Sequence, residues 1–243
     1  MVAGVLTLPM RLSAGSRSPS PSITPLVPAP DRSSRQSAQA NRSTAERSMK
    51  PTYRIRPATA DDMPAIIGLI DTSAAWLQKH KNTNQWAKPW PDEKTRDGRI
   101  TRGIARRQTW MVEDGGALAG TLTYRKRANP DLWTDEELNE QRAVYVSRLI
   151  VDRAYSGQGL GAALIDWAGM RGIQEWRADW IRVDVWTTNV GLHNYYKGQH
   201  FEYVRTVEVE HEWDYPSAVL FQKQTAEIDR ASTAKFEVTE VVS

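Results

Sequence analysis

The chain has 243 residues, 40% of them hydrophobic and 25% charged, which is globular composition sufficient for one domain or two at the roughly 100–200 residues a domain usually takes. No apolar run approaches the ~20 residues of a membrane-spanning helix, the lack of cysteine excludes disulfides, thiolate metal sites and a cysteine nucleophile, and His80, His193, His200 and His211 are too scattered for a zinc helix, so no metal is expected. The formal charge of +3 belongs to residues 1–50, where seven bases face two acids (net +5); the remainder carries 25 bases against 27 acids (net −2) and gives no bulk signal for nucleic acid.

Residues 1–50 contain ten Ser and six Pro and no sustained apolar period, so they cannot bury enough surface to offset their chain entropy and read as a disordered leader. Three readings of it stay open: a plain tail, a cleaved Arg/Ser-rich targeting segment, or an over-extended start with Met49 as the true first residue. Val2–Met10 lacks the basic flank of a secretory signal.

From residue 52 the pattern becomes structured. Thr52–Arg56 is a short strand. Thr59 with Asp62 forms a capping box ahead of a helix whose apolar face carries Met63, Ile66, Ile67, Ile70, Ala74 and Leu77. A polar, tryptophan-rich stretch (Lys79–Pro91) precedes a weaker helix near Asp92–Arg107. Thr109–Glu113 and Ala117–Arg125 flank Asp114-Gly115-Gly116, a hairpin signal. The acidic segment Pro130–Glu140 reads as a loop leading to a strand at Ala143–Val151. A helix with Leu160, Ala163, Leu164 and Trp167 on one face follows. Next come a strand at Trp180–Trp186, a helix from Asn189 to Lys197, and strands at Phe201–Val209 and Ala218–Gln222. Residues 225–243 read as a flexible tail. The order β-α-α-β-β-β-α-β-α-β-β predicts a mixed α/β (α+β) fold: one domain over 52–224, a twisted mixed sheet of six to seven strands with helices on both faces.

The most informative stretch is Tyr145 to Leu164, where a buried strand ends near Val151 and Gly157, Gly159 and Gly161 open a helix. Unpaired N–H groups and the helix dipole make such a turn an anion site, and glycine lets a pyrophosphate approach the backbone. Gly157-x-Gly159-x-x-Ala162 also meets the relaxed dinucleotide fingerprint, although several strands precede it and no second parallel half follows. A P-loop is excluded because Gly-Lys-Ser/Thr does not occur.

With a second motif the chain resembles the GCN5-related N-acetyltransferase (GNAT) superfamily. Ser156-Gly-Gln-Gly-Leu-Gly matches that family's acyl-CoA loop, with Ser156 in place of Arg or Gln. Asn189, Tyr196 and Phe201 match its downstream pattern, with Leu192 and His200 in place of the usual Ala and Gly. The resemblance spans roughly residues 53–222. It implies acetyl-CoA as cosubstrate, pantetheine pairing along Leu149, Ile150 and Val151, and a pyrophosphate cradle over Ser156, Gly157, Gln158, Gly159, Leu160, Gly161 and Ala162. It places Asn189 against the CoA arm and Tyr196 as general acid. In the Tyr195–Tyr196 pair, Tyr195 reads as the core residue.

Asp184 stands five residues before Asn189, where some relatives carry a carboxylate that takes the proton of the amine. It alternates with Val183 and Val185, so a surface acid and a base are equally consistent with the pattern. The strand position at which relatives often carry Glu is Tyr145, and a water molecule is a further candidate base. Trp76, Trp86 and Trp90 offer an aromatic wall to an acceptor or simply pack a loop on the core; Glu113, Glu137 and Glu140 are acids that either draw in an amine or are simply solvated. The function implied is acetyl transfer from acetyl-CoA to a primary amine, on a small molecule or a protein, by a cytoplasmic enzyme with no membrane or nucleic-acid partner; a homodimer is left open. The alternatives are a non-catalytic acyl-CoA-binding module of the same fold and, less consistent with the strand order, a dinucleotide-dependent oxidoreductase.

Overall fold

The computed structural model describes residues 53–81, 83–89, 92–139, 141–208 and 218–239. Residues 1–50, which the sequence reads as a leader, and residues 240–243 lie outside them. Strand β1 (Tyr53–Pro57) pairs antiparallel with β2 (Thr109–Asp114). A turn through Gly115 and Gly116, both at positive φ, returns the chain as β3 (Ala117–Arg125). Strand β4 (Ala143–Val151) pairs antiparallel with β3 and parallel with β5 (Trp180–Trp186). β6 (Glu202–Val207) and β7 (Ala218–Gln224) complete that side.

Helix α1 (Met63–Lys81) starts after a 3-10 turn at Ala60–Asp62. There Asp62 accepts from Thr59 N–H at 2.7 Å and Thr59 Oγ1 at 3.0 Å, the reciprocal capping that satisfies first-turn donors. It buries Ile66, Leu69, Ile70 and Ala74. Helix α2 (Glu93–Ala105) is capped by Asp92, which accepts from Thr95 N–H at 2.7 Å, and it buries Ile100.

Two segments differ from the sequence reading. The acidic loop contains a short helix, α3 (Asp135–Asn139). The Glu137 carboxylate accepts from Thr134 N–H at 2.8 Å and from Arg205 at 2.7 and 2.8 Å. The stretch after Gln224 is no frayed tail: a 3-10 turn at Thr225–Glu227 leads to helix α6 (Arg230–Thr233) and strand β8 (Phe236–Val238), which runs parallel to β1. The sheet therefore has eight strands rather than six or seven, in the order β6-β7-β5-β4-β3-β2-β1-β8.

Helix α4 (Leu160–Trp176) packs on the sheet through Leu160, Ala163, Leu164 and Trp167, and helix α5 (Val190–Gly198) follows β5. A second apolar cluster lies beneath α1 and α2 around Ile66, Ile100 and Ile150, so helices cover both faces. Parallel pairing is confined to β4–β5 and β1–β8 among the described residues, so the glycine turn does not close the first strand of a parallel βαβαβ half as a dinucleotide fold requires. None of the described helices is long and apolar enough to cross a membrane.

One irregularity positions the site. β4 and β5 pair only from Ala143↔Trp180 to Tyr145↔Arg182, although β4 runs on to Val151 and β5 to Trp186. Beyond Tyr145 the two strands part, leaving Val146–Val151 with an unpaired edge on that side. A register shift in the β3–β4 ladder between Thr121 and Thr123 accompanies the parting, and Arg148 there has φ 47°, the signature of a bulge that bends a strand.

Candidate active site

The gap between the parted strands opens into a cleft of about 1170 Å³. Leu149, Ile150 and Val151 line it with their free strand edge, and Ser156, Gly157, Gly159, Leu160, Gly161 and Ala162 line its end. Asp184, Asn189 and Tyr196 face the same space from β5 and α5. Gln158 alone of the expected residues does not line it; its side chain turns back to donate to Ala154 C=O at 3.0 Å.

The glycine turn fits a pyrophosphate. Gly157 and Gly159 have φ 79° and 76°, a region that side chains other than glycine's enter only with strain. A Cβ added at either would meet nothing within 4 Å, so the space above both backbones is open. The first bond into α4 runs from Ala163 N–H to Gly159 C=O at 3.1 Å. The N–H groups of Leu160, Gly161 and Ala162 thus precede the helical ladder and point out of the helix start, where the dipole adds partial positive charge. The free edge at Leu149–Val151 offers N–H and C=O groups to an extended amide chain, as in strand addition. Together these groups match the pyrophosphate and the pantetheine amides of a CoA thioester.

Asn189 is more engaged than the sequence suggested. It caps α5, its Oδ1 accepting from Leu192 N–H at 3.0 Å, and its Nδ2 donates to Gln85 Oε1 at 2.6 Å. It is 4% exposed, so it joins α5 to the segment after α1.

The two tyrosines exchange their expected roles in packing. Tyr196 is the core residue, 6% exposed, with its ring 5.1 Å from Phe201 and 6.2 Å from Phe221. Tyr195 is half-buried, and its hydroxyl lies 2.8 Å from where a Cβ on Gly161 would stand. Burial pushes the Tyr196 phenol above its ordinary range, with smaller contributions from Tyr195 and Asp184; burial likewise pushes Tyr195 up to about 12. Both phenols are neutral donors at physiological pH.

The Asp184 carboxyl is open to water through the cleft yet ringed by protein atoms. This confinement raises its pKa, opposed by the charges of Arg125 and Arg148. A carboxylate pushed upward is a better proton acceptor near neutrality than an ordinary one.

Other expected participants lie elsewhere. Glu113 is held by Arg54 at 2.5 Å and Arg56 at 2.8 Å, and Glu137 by Arg205; neither lines the cleft, and Glu140 lies outside the described residues. Tyr145 turns to the opposite face, where its hydroxyl accepts from Arg182 at 3.0 Å and its ring lies 5.6 Å from Trp133. Trp76 lines the cleft beneath the Arg153 guanidinium, 3.8 Å from its ring centre, and Trp86 lines it from the segment after α1; Trp90 lies outside the described residues. The sequence reading missed a group of arginines in the cleft: Arg99 and Arg102 on α2, Arg125 at the end of β3 and Arg148 in the β4 bulge. The i, i+3 spacing of the first two was their only local signal.

The chain is similar to known proteins in sequence and in fold. The sequence pattern of the acetyltransferase (GNAT) family matches residues 74–201. The chain is 29% identical over 151 residues to the uncharacterised N-acetyltransferase YesJ of Bacillus subtilis, covering 61% of this chain and 81% of that protein. Among solved structures it is similar to an acetyltransferase of the GNAT family from Listeria monocytogenes (TM-score 0.53, 27% identity, 71% of this chain and 94% of that one). A GNAT-family acetyltransferase from Streptococcus agalactiae shares the fold (TM-score 0.54, 19% identity, 71% and 95%).

Proposed function

Because the chain belongs to the acetyltransferase (GNAT) family and is thus an N-acetyltransferase, we propose that it moves the acetyl group of acetyl-CoA directly to a primary amine, with Tyr196 as general acid and Asp184 as proton acceptor. One observation carries this reading: the parted β4–β5 seam places the glycine turn, the free edge of β4, Asp184 and Tyr196 around a single cleft. Acetyl-CoA supplies an activated thioester. The Gly157–Ala162 backbone would hold its pyrophosphate and Leu149–Val151 its amide arm.

Asp184, directly or through a water molecule, takes a proton from the ammonium. The freed amine nitrogen forms the new N–C bond at the thioester carbonyl while the C–S bond breaks. The Tyr196 hydroxyl delivers a proton to the departing sulfur and is restored by the second proton that the acylated nitrogen sheds, so the products are an acetamide and CoA thiol, with the proton taken up by Asp184 released to solvent. A phenol whose ionised form is disfavoured by burial keeps its proton until the sulfur develops charge. Holding the amine against the thioester supplies much of the acceleration.

Calorimetric titration with acetyl-CoA, CoA and NAD, followed by thiol release with an amine panel, tests this. Binding of the CoA compounds with amine-dependent thiol release is expected. Binding without turnover by any amine would favour the non-catalytic module of the same fold.

A further inference from the structure

The cleft is strongly cationic although the chain outside the leader carries a slight negative charge. Eight Lys and Arg side chains line it against three aspartates among the described residues. Four of the arginines gather from three elements: Arg99 and Arg102, Arg125, and Arg148. Arg148 is held down to about 10 by burial first and then by Arg125, Arg99 and Arg102, with Asp184 the one acid acting the other way. Arg125 Nε, Arg148 Nε and the neighbouring Ser147 Oγ are buried and have no hydrogen-bond partner among the described residues. Clustering like charges and leaving buried donors unpaired both cost stability, so the arrangement calls for an anion to complete it.

That anion is not the CoA pyrophosphate. In the β3–β4 ladder Arg125 stands opposite Tyr145, whereas Gly120 stands opposite Val151, the last residue of β4, from which the chain leads on to the glycine turn. Arg125 is five residue steps along β3 from Gly120, roughly 17 Å at ~3.4 Å per residue. Arg125 and Arg148 instead bear on Asp184, where the amine is activated. A carboxylate beside guanidinium forks makes a dipolar pocket that suits a molecule carrying both charges, because an Arg fork matches the two oxygens of a carboxylate or phosphate.

Resting on the acetyltransferase reading above, we infer that the acceptor is a small primary amine bearing its own oxyanion, a carboxylate or a phosphate, with the ammonium at Asp184 and the oxyanion on Arg125, Arg148 and Ser147. The group transfer is unchanged: the ammonium loses a proton, the N–C bond forms, and the C–S bond breaks to release CoA thiol. Polycationic acceptors are disfavoured by the same charges.

The experiment measures thiol release from acetyl-CoA with matched amines. Glycine, β-alanine and O-phosphoethanolamine are compared with glycinamide, β-alaninamide and ethanolamine, and spermidine is included; the carboxylate and phosphate pairs separate the two sources of oxyanion. In parallel, CoA-saturated protein is titrated with acetate and with inorganic phosphate by calorimetry. At least about tenfold higher kcat/KM for the anionic member of a pair is expected. Arg148→Met, and Arg102→Gln on the exposed face of α2 as the variant less prone to misfold, should shrink that preference and weaken anion binding. Saturable anion binding that these variants weaken supports the site even if no amine of the panel is a substrate. Equal or better use of the neutral amines or spermidine overturns the inference, as does the absence of both charge preference and anion binding. Failure of the acetyltransferase reading looks different: no CoA binding, or no thiol release with any amine, while anion binding persists.

Discussion

Asn189 donates to Gln85 across a buried 2.6 Å hydrogen bond between the cap of α5 and the segment that follows α1. Thr83 and Thr188 repeat the link with hydroxyls 3.1 Å apart. These bonds tie one wall of the cleft to the other, so a change at Asn189 acts on stability and on the cleft together. Asn189→Ala removes a helix cap and strands the Gln85 amide, a loss of about 2–3 kcal/mol. Asn189→Ser keeps a capping oxygen but not the Gln85 bond and should fall between alanine and the native chain. Urea unfolding with an unchanged m-value reads this order, and equal stability of all three proteins would show that the link carries no load.

Gly159 separates two effects that a bulky substitution confounds. Its φ of 76° strains most side chains, while a Cβ there meets nothing within 4 Å. Asparagine tolerates that backbone region better than other residues, so Gly159→Asn places a side chain in the cradle with little strain. CoA affinity should drop at least about tenfold with the melting temperature nearly unchanged. Gly159→Val should lose both. Native CoA affinity in Gly159→Asn would remove the turn from the binding site.

The proposed proton-transfer roles predict a particular pH profile. Confinement raises the Asp184 pKa, so the basic form is lost as pH falls through a value above the usual carboxylate range near ~4. The acid limb of kcat/KM should sit correspondingly high and disappear in Asp184→Asn. Burial keeps Tyr196 protonated beyond its ordinary range, so no alkaline limb from its ionisation is expected near pH ~10. Tyr196→Phe should cost about 10²-fold in kcat with CoA affinity retained, whereas Tyr195→Phe should cost far less. The reverse order would transfer the general-acid role to Tyr195, whose hydroxyl stands against Gly161.

Glu137 predicts an acid-labile share of stability. The Arg205 guanidinium and Thr134 hold its carboxyl down to about 2. A depressed carboxyl stabilises the fold above the unfolded pKa, near ~4.3, and the contribution is lost as pH falls toward the folded value. Partial exposure of Arg205 limits it to about 1–2 kcal/mol. Glu137→Gln should flatten the dependence of the urea midpoint on pH between about 4.5 and 2, and an undiminished slope would assign acid sensitivity to other groups.

The regular elements and the glycine turn were legible because their signals are local. Strand alternation, the Thr59–Asp62 box and three glycines after Val151 each lie within a few residues of one another. The parting of β4 from β5 was not legible, since Val146–Val151 looks the same whether or not its outer edge is paired. Nor was the arginine group, because α2, β3 and β4 bring Arg102, Arg125 and Arg148 together only in the folded chain. Helix α3, five residues long, and β8, three residues long, are too short for any periodicity to declare them.

Strand β8 supplies the remaining prediction, since a domain ending at Gln224 lacks it. Asp166 on α4 is buried at 6% exposure, accepts from Ser232 Oγ at 2.9 Å and pairs with Lys223 Nζ at 3.4 Å. Ile228 and Phe236 are each 8% exposed, and Phe236 lies 6.0 Å from Tyr53 and 6.4 Å from Trp167 between ring centres. Deleting residues 225–243 removes both apolar side chains, at roughly 1.5–3 kcal/mol apiece, and bares the edge of β1, an invitation to intermolecular pairing. The shortened protein should melt well below the full chain and aggregate on heating. Ser232→Ala probes the anchor alone and should cost about 1 kcal/mol. An unchanged melting temperature after the deletion would show that α6 and β8 lie on the domain without stabilising it.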